Sequence, residues 1–588
     1  MSESSIERVD EIPIIFHKLK EIGIQERIDR FWQPHGNWKG LSYGRLAVLF
    51  IIYMIHSLNH RLSGMEGWIA QHRHLLEQLT GWTITPKEAT DDRLGLLIEV
   101  LGSDLEPMIR YQIEQGAGMI QAYALPTEVA RFDLTAVNVY HAPEKVAEGG
   151  ILEFGHSKNH RPDVLQFKQS LGTLDPAGVP LVTMTLNGSG ADDPQYVPAW
   201  QQMSATIGHA DFLLVGDCKM GALETRLKIA REGGVYLCPL PMTGQVPQYL
   251  AEWVNQLPDE LETIYLTGKK DPEPRRIGHG FEVAQPMIGQ DDRGEWEWSE
   301  RWLVIHSERH AKQQNASFLK RLERAEKAVK TAVAKGAESV VEWQARLDKI
   351  LKEHGVSGFL TVQAQEKIHT EKRYLRSGRP TATTPYRWET SSELTCRVER
   401  QAAAIAAHQK LMGWRIYVTN AAKSRMTLQQ SVRYYRDEYL VERGFHRFKG
   451  GSLPVLPLFL RIDERIKGLL FLLFMALQIL TLMDFVASRE LAKTGEKIAG
   501  LVPGNPKIAV ARPTAERLLA AFEGIHLLVE KKGDTITGYV VEKLSPLQEK
   551  ILTLLQIPKE IYHLSFSKFQ IENDNDLVEN DVGLAMAA

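Results

Sequence analysis

Val129-Ala-Arg-Phe-Asp-Leu-Thr-Ala-Val-Asn-Val-Tyr140 is the stretch on which the fold turns. It alternates and is β-branched, whereas the apolar residues before it recur every three or four positions. That change of period predicts a strand after a long helical region. Downstream, Gln166–Leu174 and Pro180–Leu186 carry strand patterns on either side of Asp175-Pro-Ala-Gly178, a turn. A helical pattern, Val197–Ile207, precedes the short apolar run Phe212-Leu-Leu-Val-Gly-Asp217.

Three neighbouring strands, a helix and a fourth strand are the order expected of an α/β, RNase H-like core. Upstream, residues 1–125 are helical throughout, with apolar periodicity in Ile14–Ile24, Leu46–Leu58, Met65–Leu79 and Leu94–Leu105, and are expected to form an all-α domain. The core pattern is interrupted after Leu223. Strand-like pieces (Thr263–Leu266, Glu295–His306) and a charged helix from His310 to His354 fill a mixed stretch. Core patterning returns with the strand Trp414-Arg-Ile-Tyr-Val-Thr419 and the helical Leu428–Phe448. The expected organisation is an all-α domain (1–125), the first part of the core (126–225), a large mixed insertion (226–411), the second part of the core (412–490) and a C-terminal region (491–588). In that last region Pro513-Thr514 opens a helix, Lys531-Lys-Gly-Asp534 signals a hairpin, and the acidic Glu572–Asp581 suits a disordered end.

Composition excludes more than it identifies. A length of 588 residues implies several structural units, and a net charge of −3 gives no global attraction to nucleic acid, so any such surface must arise by local segregation. Cys218, Cys238 and Cys396 are too scattered for a disulfide framework or a zinc knot, which fits a reducing cytoplasm. Met1–Asp10 is polar and acidic, unlike a signal peptide. Gly468–Ala487 approaches membrane-spanning length, but it contains Gln478 and Asp484 and is expected to be a buried core helix.

Phosphoryl transfer on DNA needs carboxylates converging on two metal ions about 3.5–4 Å apart. Asp133 lies inside an otherwise mostly apolar strand, where a lone carboxylate is costly unless paired or metal-bound. Asp217 ends the next apolar strand. Glu442 lies in the helical Tyr434-Tyr-Arg-Asp-Glu-Tyr-Leu-Val-Glu-Arg-Gly-Phe-His-Arg-Phe-Lys449, one turn before Phe445. Singly, each has an ordinary reading as a turn former, a cap or a solvated acid. The order strand-Asp, strand-end-Asp, helix-Glu is more informative than any one of them.

That helix resembles the signature of the insertion-sequence DDE transposases related to insertion sequence 4, spaced Tyr-(2)-Arg-(3)-Glu-(6)-Lys. Tyr435, Glu442 and Lys449 stand at three of its positions, but Glu438 occupies the Arg position, and Arg436 is a substitute only from a different helix face. Gly155-His-Ser-Lys-Asn-His-Arg-Pro-Asp163 with Gln166, and Phe132-Asp-Leu-Thr-Ala136, are similar to blocks of the 1634 branch of that superfamily. The helical N-terminus with Thr90-Asp-Asp-Arg-Leu94 looks like the domain that precedes the core there. The resemblance implies a metal-binding triad of Asp133, Asp217 and Glu442, served by two Mg2+ ions or by Mn2+ in their place. It also implies phosphate contacts from Lys449 and Tyr435, terminal inverted repeats as the DNA partner, and a homodimer in the synaptic complex. Lys449 is about two turns beyond Glu442, on the same side of the helix.

Lys158, His160 and Arg161 fall in a polar loop with Asp163, where they could hold a phosphate, or Arg161 and Asp163 could simply close a turn. His156 and His160 are four apart, but Gly155 and Pro162 disfavour a helix and hence a zinc site. Lys320, Arg321, Arg324, Lys327 and Lys330 alternate with acids, as on a solvated helix face. Lys367, Lys372, Arg373, Arg376, Arg379 and Arg387, interleaved with Tyr374, Tyr386 and Trp388, suit a DNA-backbone groove with stacking aromatics. Trp296, Trp298 and Trp302 alternate with polar residues, a pattern of sheet packing more than of base stacking. Two other functions share parts of this pattern: a metal-dependent nuclease without strand transfer, and a transposase-derived DNA-binding protein without catalysis.

Overall fold

The computed structural model describes residues 2–156, 161–267, 273–334, 340–532 and 535–564. The chain is mixed α/β and divides into two compact units, one of residues 1–238, 288–298 and 434–588, the other of residues 239–287 and 299–433.

The first unit opens with a strand, β1 (Ser2–Arg8), which departs from the all-α expectation for residues 1–125. Six helices follow: α1 (Ile12–Glu21), α2 (Ile24–Phe31), α3 (Tyr43–Ser57), α4 (Met65–Thr80), α5 (Asp91–Ser103) and α6 (Leu105–Tyr123). Side-chain caps start three of them, and at α6 the cap is Asp104, which accepts from the Glu106 amide. Ser42 accepts from the Arg45 amide at α3, and Thr90 accepts from the Arg93 amide at α5, where Asp91 and Asp92 also favour the positive helix end.

The chain then switches to β2 (Val129–Val139), β3 (Leu165–Leu174), β4 (Val179–Val182) and β5 (Thr185–Asn187). Helix α7 (Tyr196–Ile207) leads to β6 (Leu213–Val215), and α8 (Leu223–Arg231) leads to β7 (Val235–Pro239). In this unit the strand order is β4-β3-β2-β6-β7, with β5 also on β3. β2 and β3 are antiparallel, but β6 runs parallel to both β2 and β7. Parallel neighbours need long crossovers, and α7 and α8 supply them. β2 is covered on both faces, so its residues are buried almost without alternation and Asp133 is one of only two half-buried positions in it.

The second unit contains α9 (Val246–Asn255), β8 (Glu262–Thr267), β9 (Pro274–Asp291) and β10 (Gly294–Ser307). The turn end of the β9–β10 hairpin, Ile288–Trp298, belongs to the first unit. The expected single charged helix is two, α10 (Glu308–Ala334) and α11 (Val340–Glu353). Phe318, Leu322, Trp343 and Leu347 from these helices form a core with Val356, Leu360 and Val362. A long antiparallel pair follows, β11 (Leu360–Tyr374) and β12 (Tyr386–Arg400), then α12 (Ala402–Leu411), β13 (Trp414–Thr419) and α13 (Leu428–Arg436). Within this unit β13 pairs antiparallel with β10, and β8 with β9.

The chain returns to the first unit through α14 (Tyr439–Gly450), α15 (Asp463–Thr494), α16 (Ala515–Ala520), the hairpin β14 (His526–Lys532) and β15 (Thr535–Val541), and α17 (Pro546–Leu554). β14 pairs with both β15 and β1, which gives the N-terminal strand its sheet. Among the described residues α15 alone is long and apolar enough to cross a membrane, and it is mostly buried inside the protein. Two polar residues in its apolar run find partners: Gln478 donates to the Pro180 carbonyl at 2.9 Å, and Asp484 binds Arg443 and Arg447. It crosses α5 at contact distance, since a Cβ at Gly468 would fall 1.8 Å from the Ile98 carbonyl oxygen. The acidic stretch Glu572–Asp581 lies outside the described residues.

Candidate functional site

β2 and β6 are hydrogen-bonded parallel neighbours, so Asp133 and Asp217 come from adjacent strands although 84 residues of sequence separate them. Asp217 immediately follows β6 and Gly216, and its carboxylate accepts from the Lys219 amide at 2.8 Å, capping a short turn. Tyr196 Oη donates to the same Asp217 oxygen at 2.6 Å. Burial first, then the charges of Asp217 and Asp133, pushes the Tyr196 hydroxyl well above the ordinary tyrosine range, so it remains a donor. Its ring packs edge-on against Phe132 at 5.1 Å. Gly216 must be small here, because a Cβ would meet the Tyr196 ring at 2.8 Å. Asp133 accepts from the Leu134 amide at 2.8 Å.

Both carboxylates line one cavity of about 10 Å³, whose wall also includes Arg131, Tyr435, Glu438 and Val441. That volume is the space of roughly one water molecule. Arg131 lies two residues before Asp133, hence on the same face of β2. It is buried and gives Asp175 a forked ion pair, Nε to Oδ1 at 2.8 Å and Nη2 to Oδ2 at 2.6 Å. Its Nη1 finds no acceptor among the described residues. Burial raises the Asp175 carboxyl above its ordinary range, although Arg131 opposes that shift.

The expected helix Leu428–Phe448 is interrupted: α13 ends at Arg436, Asp437 and Glu438 form a turn, and α14 starts at Tyr439. The interruption brings Tyr435 and Glu438 to the cavity wall, while Glu442, one turn further along α14, is exposed. α14 is fixed from its other face. Arg447 is buried and binds Asp484 at 3.0 Å and Glu516 at 2.7 Å, and Arg443 adds a contact to Asp484 at 3.0 Å. Burial opposes charge on Glu516, but Arg447 and Ser452 outweigh it and hold its carboxyl at about 2.

The remaining expected contact residues are dispersed. Lys449 is exposed in the last turn of α14, and Arg436 is exposed at the end of α13. Arg161 is exposed and paired with Asp163 at 2.8 Å, in keeping with a self-contained turn. Lys158 and His160 lie outside the described residues. Lys372, Arg373 and Arg376 are exposed in the second unit, at the far end of β11 and in the loop after it. Trp302 is buried against Tyr249 and Trp253, and Trp298 donates to the Tyr236 hydroxyl at 3.0 Å, so these tryptophans pack.

Sequence reasoning missed three lining or supporting residues: Tyr196, Arg131 and Glu438. Arg131 carried a signal in its two-residue spacing from Asp133 in an alternating strand, and Glu438 in standing four residues before Glu442 within the same helical pattern. The donor set around the cavity is oxygen-rich and carboxylate-dominated, the chemistry that suits a hard divalent cation such as Mg2+ or Mn2+. Asp133, Asp217 and Glu438 do not bring their oxygens within 4.8 Å of one another; among the described residues the group that does is Asp10, Glu11 and His56.

No protein-family model and no curated protein matches the chain. Among solved structures, it is similar to the piggyBac transposase synaptic complex with hairpin DNA, seen by cryo-EM. The identity is 8%, the match covers 100% of this chain and 89% of that chain, and the TM-score is 0.33, too low to carry an argument about fold or function.

Proposed function

We propose that the chain is a DNA transposase of the DDE kind, with the β2–β3–β6 region as an RNase H-like core and a mixed insertion before the returning helix. The observation that carries this reading is the single water-sized cavity that joins Asp133 of β2, Asp217 after β6 and Glu438 before α14. Two divalent cations, Mg2+ or Mn2+, would supply an activated oxygen nucleophile and charge neutralisation at the leaving oxygen. Asp133, Asp217 and Glu438 would hold one cation once their oxygens draw together around it. Glu442, the position that the sequence resemblance implies, is left for the second on the open side.

The chain's own residues do the positioning. Tyr196 and the Lys219 amide fix the Asp217 carboxylate, and the Arg447 cluster fixes α14. Tyr435, Lys449 and Arg436 would contact DNA phosphates near the cleaved bond, and Lys158 and Arg161 would contact them from the loop. Lys372, Arg373 and Arg376 would give the second unit a DNA-backbone surface of its own. The DNA partners are terminal inverted repeats and a target, joined by attack of a freed 3′-hydroxyl, and synapsis of two ends calls for a homodimer. The setting is a prokaryotic cytoplasm.

The test uses the full chain, a supercoiled plasmid carrying paired inverted ends, and Mg2+ or Mn2+. Strand-transfer products that disappear in Asp133→Asn and Asp217→Asn support the proposal. Nicking without joining leaves a nuclease. Binding that survives Asp133→Ala with no metal-dependent product in the parent leaves a DNA-binding protein.

A further inference from the structure

In the second unit β11 and β12 form a ribbon of two 15-residue strands, paired in register from Leu360–Arg400 to Tyr374–Tyr386. Its foot is anchored. Leu360 and Val362 are buried in the core with Phe318 and Trp343, and Arg400 binds Glu326 of α10 at 2.7 Å. Its outer part has no core: every residue from Gln365 to Tyr374 is exposed. A two-stranded ribbon wet on both faces is marginal by itself. Yet it displays Ile368, Leu375 and Trp388 at 67%, 59% and 58% exposure, so the ribbon is built to be covered by something.

The chemistry of the tip selects the partner. The register places Lys372 opposite Trp388 and Tyr374 opposite Tyr386, so these four share one face. Lys372 Nζ lies 4.5 Å from the Tyr386 ring centre and 5.3 Å from that of Trp388, and the two rings meet edge to face at 5.9 Å. On the other face Arg373 and Arg387 stand directly opposite each other, an unfavourable pairing that Glu389 bridges. Arg376 and Arg379 extend the positive charge into the connecting loop. A cationic tip with apolar aromatic surface suits a polyanion whose groove also offers apolar edges, such as thymine methyl groups. A two-stranded ribbon is also a shape that the major groove of a duplex admits.

We infer that the outer half of this ribbon is a duplex-DNA arm that enters the major groove, with Arg376 and Arg379 of the loop on phosphates and the face of Lys372, Tyr386 and Trp388 toward the groove floor. It deepens the reading of DNA as the partner and is independent of the carboxylate cavity.

The experiment measures binding of a labelled duplex to the full chain in an Asp133→Asn background, across a salt series, against the triple variant Lys372→Ala/Arg376→Ala/Arg379→Ala. Because these residues are exposed, the variant is expected to melt with its parent. The expected result is a salt-dependence slope smaller by about 0.9 per lost phosphate contact. Trp388 emission should be quenched by duplex, and the quench should be lost in Trp388→Phe. Competition by the major-groove ligand methyl green, and not by the minor-groove ligand netropsin, is also expected. An unchanged slope overturns the arm. So does competition by netropsin alone, or a variant that alters self-association and leaves DNA binding intact. A parent that binds no duplex removes the underlying DNA reading as well, whereas a parent and triple variant that bind alike remove only the arm.

Discussion

A carboxylate at a strand end keeps one orientation only when something holds it. Asp217 is held by the Tyr196 hydroxyl and the Lys219 amide, and Tyr196 is itself buried. Tyr196→Phe deletes one hydrogen bond to an acid and nothing else, and should cost about 1.5–3 kcal/mol of stability, read by denaturant titration. Glu438 makes a sharper case. It lines the cavity with both aspartates, whereas Glu442 is exposed. Glu438→Gln should therefore weaken Mn2+ binding by about tenfold or more, as expected when a group holding a metal site is lost. Calorimetry on the full chain reads this, and Glu442→Gln should weaken the tighter site less. Equal effects would return Glu442 to the first ion. The sequence made Asp133 and Asp217 conspicuous because an acid in or after an apolar strand breaks a pattern. It could not distinguish Glu438 from Glu442, which are four apart and share a face in any unbroken helix.

The break that separates those two acids belongs to the element scale. Nothing between Leu428 and Phe448 advertises it: there is no proline, and the one glycine, Gly444, lies after the break. Tertiary anchoring accompanies it, since α14 is tied to α15 and α16 through Arg447, Asp484 and Glu516. Arg447→Met would leave the buried Asp484 with Arg443 alone and the partly exposed Glu516 without its cation, and should cost about 3 kcal/mol, the low end for a broken buried pair, in chemical denaturation. The pH dependence has a definite sign. The Glu516 carboxyl is held at about 2 in the fold, below its ordinary 4.5, so its contribution is full above about pH 4.5 and is lost as pH falls toward 2. The stability gap between the parent and Glu516→Gln should close over that interval, and a gap independent of pH would refute the assignment. By contrast, β2, β3, α7 and the Asp175–Gly178 turn were legible, since each is written in local periodicity and turn chemistry. β1 was not, because its seven polar-rich residues become a strand only by pairing with β14.

For the whole molecule, the expected insertion of residues 226–411 and the compact unit of residues 239–287 and 299–433 overlap without coinciding. Pattern changes in sequence mark where elements change type, and not where the packing of one core gives way to another. The second unit has its own buried cluster, with Trp343 fully enclosed. Trp343→Ala should cost that unit about 3–5 kcal/mol. Calorimetry should show one transition move down while Mn2+ affinity at the Asp133 cavity is kept, and a parallel loss of both would mean that the two cores melt as one. The pairing of β1 with β14 has a consequence for synthesis. Once made, β1 waits more than five hundred residues for its neighbour, with its hydrogen-bonding edge open to other chains meanwhile. A premature stop ahead of His526 would make that wait permanent. Such truncated products are expected to be recovered from cells as insoluble material, even when every residue around Asp133 and Asp217 has been made.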